Sequence, residues 1–434
     1  RNQDPVISVR ILTRTRKQPK KRGRGKPSFR DAAVMPRRAG FDTQVMFDLT
    51  CNKAHSTLHK YRTGYNFAWA ITSARNYMKL VGLKEPGTYS KTNHHNGGMF
   101  GFANEVTLTN IQAGKLFRKI CLHGGTKSQL EGVKKDDEVI VPAFTIISCL
   151  HQIVRQGGKP ILVDSDPLTW NIDVTKIEKK ISKKTKAIVI VHIYGLPVDI
   201  DPVIKIAKKY NLIIIEDAAE EIGQFYKNKP IGSYGHISTF SFFANKHITT
   251  GEGGMIVTNN KSLAQKFSML KNTCFNPKKQ KFIHDDIGWN YRMTSMQAAF
   301  GFAQLENLKL FVKKKRFLGD YYSSKLKNIT NIQLPLKETN YAQNIYWVYG
   351  IVLKKKNSKA KKYIKILKKE GVECRPFFCP MHLQPVFKKM NLFKNEKFPV
   401  SENLFKRGFY IPSGIGTTKK EMQFVINKIK KVFK

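Results

Sequence analysis

The sequence predicts an α/β protein, a largely parallel sheet sandwiched by helices, joined to a smaller C-terminal α+β domain. Two observations carry this. From Lys134 onward, short continuous runs of β-branched and other apolar residues alternate with stretches of helical spacing. Strands apolar at nearly every position are buried on both faces, as in a parallel sheet covered by helices. Beyond about residue 310, helical patterns mix with the single run Tyr346–Leu353, which reads as a strand of a separate, smaller domain.

The elements follow in order. Glu138-Val-Ile-Val-Pro142 is a buried strand stopped by proline. A helical stretch runs to Arg155 and ends at Gly157-Gly158, and Pro160-Ile-Leu-Val-Asp164 forms the second strand. Asp173–Ile181 reads as helical, Lys186–His192 as the third strand, Asp201–Tyr210 as helical and Leu212–Asp217 as the fourth strand. A further strand leads through Ser238–Ser241 to Lys246, then to the turn Gly251-Glu-Gly-Gly254 and another strand. The domain boundaries read as a basic, disordered tail over residues 1–45, an unassigned segment over 46–130, a large α/β domain over 131–310 and a small C-terminal domain over 311–434. No internal repeat is apparent.

Composition excludes several classes. The 434 residues are 41% apolar, enough to fold most of the chain. No apolar run approaches the ~20 residues of a membrane span, and Arg1-Asn-Gln-Asp-Pro5 lacks the apolar core of a secretory signal. The chain does not begin with Met, so Arg1 is not read as the natural start. Six scattered cysteines show neither CxxC pairing nor zinc-ligand spacing, which argues against a metal site or a disulfide framework and for a reduced, cytoplasmic setting. The net charge of +46 suggests a polyanion partner. Past about residue 130, however, the lysines are spread in short groups such as Lys313–Lys315 and Lys354–Lys356, as on solvated helix faces. Nucleic-acid binding is therefore considered only for residues 1–45, where Arg, Lys, Pro and Gly dominate.

Ligands of open α/β sheets bind beyond the carboxyl ends of the strands. Asp217 closes the fourth strand and could equally be a helix cap or a surface acid. Lys246, set between a strand and a glycine-rich turn, could have a lowered pKa and form an imine. Taken alone, it could also be one more surface lysine.

Context changes those odds. Glu138-Val-Ile-Val-Pro-Ala-Phe-Thr145, Val191-His-Ile-Tyr-Gly195, Glu216-Asp-Ala-Ala-Glu220, Ser241-Phe-Phe-Ala-Asn-Lys246, Gly251–Gly254 and Gly288-Trp-Asn-Tyr-Arg-Met-Thr294 occur in an order and spacing that resemble the pyridoxal-phosphate-dependent sugar-nucleotide aminotransferases over residues 131–434. Arg375-Pro-Phe-Phe-Cys-Pro-Met-His382 is most similar to the branch containing perosamine synthases. The resemblance implies a fold type I transferase whose large domain binds pyridoxal 5′-phosphate. It implies that Lys246 forms the Schiff base and shuttles a proton, and that Asp217 pairs with the pyridine nitrogen. Glu220 would contact the phenolic oxygen, and Ser241 would bind the phosphate. Thr145 and Ile146 would lie at the cofactor, Ile146 where an aromatic residue usually stacks on the ring. Asn290 would reach the phosphate from a neighbouring subunit, giving a homodimer with shared active sites. His192 would lie near the ring, or equally serve as a hydrogen-bonded structural histidine. Arg375 and His382 would face the nucleotide-sugar. A dehydrating branch of the fold carries histidine where Lys246 stands, so the retained lysine favours amino transfer, with His247 only following it. The implied substrate is GDP-4-keto-6-deoxymannose and the implied donor glutamate, giving GDP-perosamine for polysaccharide (O-antigen) biosynthesis.

Residues 1–130 do not match. The family's Ser-x-Gly-Thr-x-Ala-type phosphate loop is missing, and His123-Gly-Gly-Thr126 is only a superficial echo of it. The pattern resumes in mid-domain, which favours a different coding frame, a fusion or an assembly error over a genuine basic domain, and which puts this chain's activity in question. Two other readings stay open: a basic nucleic-acid-binding protein with a degenerate aminotransferase-like part, and a catalytically silent partner subunit.

Overall fold

The computed structural model describes residues 105–108, 133–275, 280, 282–284 and 286–433. The tail over 1–45, the segment over 46–130 apart from 105–108, and the echo at His123–Thr126 lie outside the described residues. Residues Met293–Asn307 belong to a separate unit of the chain and are treated by themselves.

The strands are β1 (Glu105–Leu108), β2 (Glu138–Pro142), β3 (Lys159–Val163), β4 (Thr185–Val191), β5 (Ile213–Asp217), β6 (Phe225–Tyr226), β7 (Lys229–Pro230), β8 (Ile237–Ser241), β9 (Gly254–Val257), β10 (Ile332–Gln333), β11 (Tyr349–Leu353), β12 (Arg375–Pro376) and β13 (Gly408–Ile411). Seven form one sheet in the order β1-β9-β8-β5-β4-β2-β3. Its five strands β3, β2, β4, β5 and β8 run parallel, while β9 and β1 add antiparallel at one edge. The expected sheet is thus present, largely parallel as the doubly apolar strands require: every residue of β2 is buried, as are all but one of β4. β10, β11, β13 and β12 form the small antiparallel sheet of the C-terminal part, and β6 and β7 a short hairpin.

Helices α1 (Ser148–Arg155) and α2 (Ile200–Tyr210) connect β2 to β3 and β4 to β5, and α3 (Lys261–Leu270) follows β9. The first stops where Gly157 adopts φ +79°; the second ends on Asn211 in the left-handed region, which asparagine tolerates. In the separate unit, α4 (Ser295–Leu305) starts at a reciprocal capping box between Thr294 and Gln297. The C-terminal part holds α5 (Leu308–Leu326), α6 (Ala360–Lys369), α7 (Pro385–Lys389), α8 (Pro399–Arg407) and α9 (Lys419–Phe433). One apolar cluster, from Val133 to Leu404, joins β2 and β4 to Trp347, Phe377 and Phe387; a second is built by α5, α9 and the small sheet.

Two expectations change. Asp173–Ile181 is not an α-helix but two 3₁₀ turns, Val174–Lys176 and Glu178–Lys180. Asp173 caps the first by accepting from Thr175 N, β-branched Val174, Thr175 and Ile177 weaken helix propensity, and Ile181 is already extended. The strand over Tyr346–Leu353 begins only at Tyr349, because Tyr346 sits at φ +49° and its N–H donates to Asn344 Oδ1 at 2.6 Å. No helix among the described residues is long and apolar enough to cross a membrane.

Candidate active site

Because β2, β4, β5 and β8 are parallel, their carboxyl ends share one edge of the sheet. Beyond β2 come Thr145 and Ile146, beyond β4 the turn His192–Gly195, at the end of β5 Asp217, and beyond β8 the loop carrying Lys246.

Asp217 is held from two sides. Its Oδ2 accepts from the Cys149 thiol at 3.0 Å and its Oδ1 from Ala219 N–H at 3.0 Å. Burial, and then the Asp217 charge, push the Cys149 thiol well up, so it stays a protonated donor. Thr145 Oγ1 lies 3.5 Å from the same sulfur. Carboxylate oxygens accept more than one bond each, so Asp217 keeps capacity for a ligand N–H.

Lys246 is nearly buried, its side chain 9% exposed. Nζ sits 3.8 Å from the centroid of the Trp347 ring and 4.0 Å from Glu220 Oε1. Burial pulls the ammonium pKa down; the charges of Glu220 and Asp217 oppose this but do not cancel it. Burial likewise raises the Glu220 carboxyl, against the pull of Lys246. Glu220 is fixed by Tyr194 N–H, which donates to Oε2 at 2.7 Å. That N–H is presented by a turn in which Gly195 has φ +104° and in which a Cβ would come 2.5 Å from Trp347 N, so only glycine fits.

Ser241 is buried, and its Oγ accepts from Phe243 N–H at 3.3 Å, leaving the hydroxyl proton to donate. Ile146 is 44% exposed, so it can offer an aliphatic face to a ligand. Of the two readings of His192, the structure has the hydrogen-bonded structural one. The residue is fully buried: Val198 N–H donates to Nδ1 at 3.0 Å, so Nε2 carries the proton and donates to Glu216 Oε1 at 3.2 Å. With both ring nitrogens engaged, the imidazole has no free edge for a substrate. Glu216 also accepts from Gly232, Tyr234 and Gly235 N–H and from Ser238 Oγ. Burial would raise its carboxyl, but these bonds, led by His192, hold it below the usual range.

The segment Arg375–His382 packs beside this group: Arg375 pairs with Tyr410, whose ring lies 6.2 Å from that of Tyr194, and Met381 N–H donates to the Ala143 carbonyl at 2.8 Å. His382 is buried, with Nε2 on Glu402 Oε1 at 3.0 Å. Arg375 is exposed in β12, and Asn290 is exposed and bridged to Asn272. No motif in the sequence marks Cys149 or Trp347, although Cys149 falls one helical turn after Thr145 and Trp347 lies in the apolar run Tyr346–Leu353. Among the described residues no group of three or more His, Cys, Asp or Glu is gathered for a metal ion.

An amine whose ammonium form burial disfavours, a carboxylate at a strand end and a buried hydroxyl donor match the three parts of pyridoxal phosphate: aldehyde, pyridine N–H and phosphate. The residues present fit that cofactor.

Comparison with known proteins agrees. Residues 125–430 match the model of the DegT/DnrJ/EryC1/StrS aminotransferase family. A GDP-perosamine synthase of Escherichia coli O157:H7 is 40% identical over 302 residues, covering 70% of this chain and 80% of that protein. The fold resembles an aminotransferase of pseudoaminic acid biosynthesis from Helicobacter pylori, with a TM-score of 0.71 at 21% identity, covering 89% of this chain and 96% of that one. It also resembles the PLP form of a sugar aminotransferase from Streptococcus pneumoniae, described as putative, with a TM-score of 0.70 at 21% identity and coverage of 89% and 96%.

Proposed function

The chain belongs to the DegT/DnrJ/EryC1/StrS aminotransferase family, and we propose that it transfers the amino group of glutamate to GDP-4-keto-6-deoxymannose, giving GDP-perosamine and 2-oxoglutarate. The observation that carries the reading is the buried Lys246 amine between Glu220 and the Trp347 ring, on the sheet edge that ends in Asp217. The choice of sugar and base leans on the similarity to GDP-perosamine synthase.

When bound, pyridoxal phosphate supplies a carbonyl carbon for amine exchange and a protonated ring that draws electrons from the carbon losing a proton. Asp217 would hold a ring N–H and favour its charged form with carboxylate oxygens already oriented by Cys149 and Ala219. Lys246 would hold and move a proton at Nζ, a role that burial favours by pulling the ammonium pKa down. Glu220 gives a second proton-exchanging atom, Oε1, 4.0 Å away. Ser241 Oγ would donate to the phosphate, and Ile146 would present an aliphatic face to the ring. Arg375, exposed on β12, is assigned to diphosphate charge. Asn290 is assigned to the phosphate of a second copy, in a cytoplasmic homodimer with shared sites that serves polysaccharide biosynthesis.

The test is an amino-transfer assay with glutamate and GDP-, TDP- and UDP-linked 4-keto-6-deoxy sugars. GDP-4-keto-6-deoxymannose should be converted fastest, and Lys246→Ala should lower turnover by more than ~100-fold. Faster turnover of a TDP- or UDP-sugar would overturn the substrate assignment. Unchanged turnover in Lys246→Ala would overturn the mechanism.

A further inference from the structure

Lys315, on α5, is 2% exposed, and no step above uses it. A lysine so deeply buried is unusual unless its head group is paired. Here it is paired only with backbone: Nζ donates to the carbonyl of Trp347 at 3.0 Å and to the carbonyl of Ser413. Burial pushes its pKa down to about 7, and both the amine and the ammonium have enough N–H to serve two carbonyls.

The first carbonyl matters because of what the rest of Trp347 does. Its indole Nε1–H donates to the Asn245 carbonyl at 3.1 Å, and its ring lies against Nζ of Lys246. Trp347 is thus tied at the backbone to Lys315 and at the ring to the residue preceding Lys246. Neighbouring contacts leave the segment little freedom. Ile345 N–H donates to the Gly195 carbonyl at 2.9 Å, and a Cβ on Gly319 of α5 would come 2.2 Å from the Tyr346 ring. The second carbonyl belongs to a loop that α5 grips again where Tyr322 Oη donates to Pro412 O at 2.8 Å.

We infer that Lys315 is a positioning residue that holds the Trp347 indole against Lys246 and so keeps Nζ of Lys246 dry and in place. The inference rests on the assignment of Lys246 as the reactive amine. The titratable groups facing Lys246 are Glu220, Asp217, Cys149, Glu221 and His247, and Lys315 also faces His247. Loss of Lys315 leaves the acidic groups in place and lets water reach the amine, so Lys246 becomes more fully protonated at neutral pH.

The experiment labels the full chain with acetic anhydride between pH 6 and 10 and quantifies acetylation of Lys246 by mass spectrometry. Wild type, Lys315→Met, Trp347→Ala and the double variant are compared. Lys315→Met should lower labelling of Lys246 near neutral pH several-fold and move its pH midpoint up. In the Trp347→Ala background the same change should have no further effect, a coupling that a general loss of stability would not produce. If the Met variant does not fold, Lys315→Gln, whose amide ends one atom short of the carbonyls, replaces it with the same expected direction. A folded Lys315 variant that labels like wild type overturns the inference, as does an undiminished effect without Trp347. Wild-type Lys246 labelling no better near neutral pH than surface lysines would instead count against its assignment as the reactive amine.

Discussion

At the scale of single residues, the site depends on burial working against charge. Lys246 and Glu220 would each be ionised in water; together in a nearly dry place, one loses affinity for its proton and the other gains it. The sign of their coupling gives a prediction. The Glu220 charge favours the Lys246 ammonium, so Glu220→Gln removes support for the charged form and lowers the Lys246 pKa further. Acetylation of Lys246 near neutral pH should rise several-fold and its pH midpoint should fall; a midpoint that rises or stays fixed would contradict the pairing. Lys246, Asp217, Glu220 and Ser241 were legible in the sequence because a motif places each beside a strand end. Cys149 and Trp347 were not. Cys149 acts on Asp217 from 68 positions away, and Trp347 reaches Lys246 from the far side of the α5 connection. Such partners are set by chain topology and not by local spacing.

At the scale of elements, strands were the most legible and weak helices the least. β2 was found with its bounds intact, since an apolar run closed by proline has few alternatives. Asp173–Ile181 showed a helical spacing but lacked the propensity to hold it, and tertiary contacts made it two 3₁₀ turns. α8 shows a device no local pattern could announce. Its N-cap, Phe398, has no capping side chain. The N–H groups of Val400 and Ser401, which the helix itself leaves unpaired, donate instead to Asp164, at the end of β3, at 3.1 and 2.9 Å, and the Ser401 hydroxyl adds a bond of 2.7 Å. A carboxylate is well placed there, since it meets the positive end of the helix. Asp164→Ala should cost about 2–4 kcal/mol, because it leaves buried N–H groups without partners. Ser401→Ala, which removes one hydroxyl, should cost about 1 kcal/mol. Urea unfolding of the two variants checks the order; equal losses would mean that the hydroxyl and not the helix end is what Asp164 serves.

At the scale of the whole molecule, the parallel sheet gathers residues that are distant in sequence. Four strand ends on one edge bring Thr145, the His192–Gly195 turn, Asp217 and the Lys246 loop together. The small sheet contributes Trp347, just before β11. The fold class could be read from the alternation of apolar runs and helices, and the family from the order of motifs. The spatial role of His192 could not be: a histidine at a strand end reads the same whether it faces a ligand or Glu216. The net charge of +46 bears on the choice of experiment, because pyridoxal phosphate attaches weakly to many exposed lysines and bulk incorporation would say little. The direct test is therefore site-resolved. The purified chain is incubated with stoichiometric pyridoxal phosphate, reduced with borohydride and mapped by mass spectrometry. The account predicts that the phosphopyridoxyl group is found chiefly on Lys246 and that incorporation drops to the scattered background in Lys246→Ala. A label spread over surface lysines, with Lys246 unmodified and the variant unchanged, would contradict it.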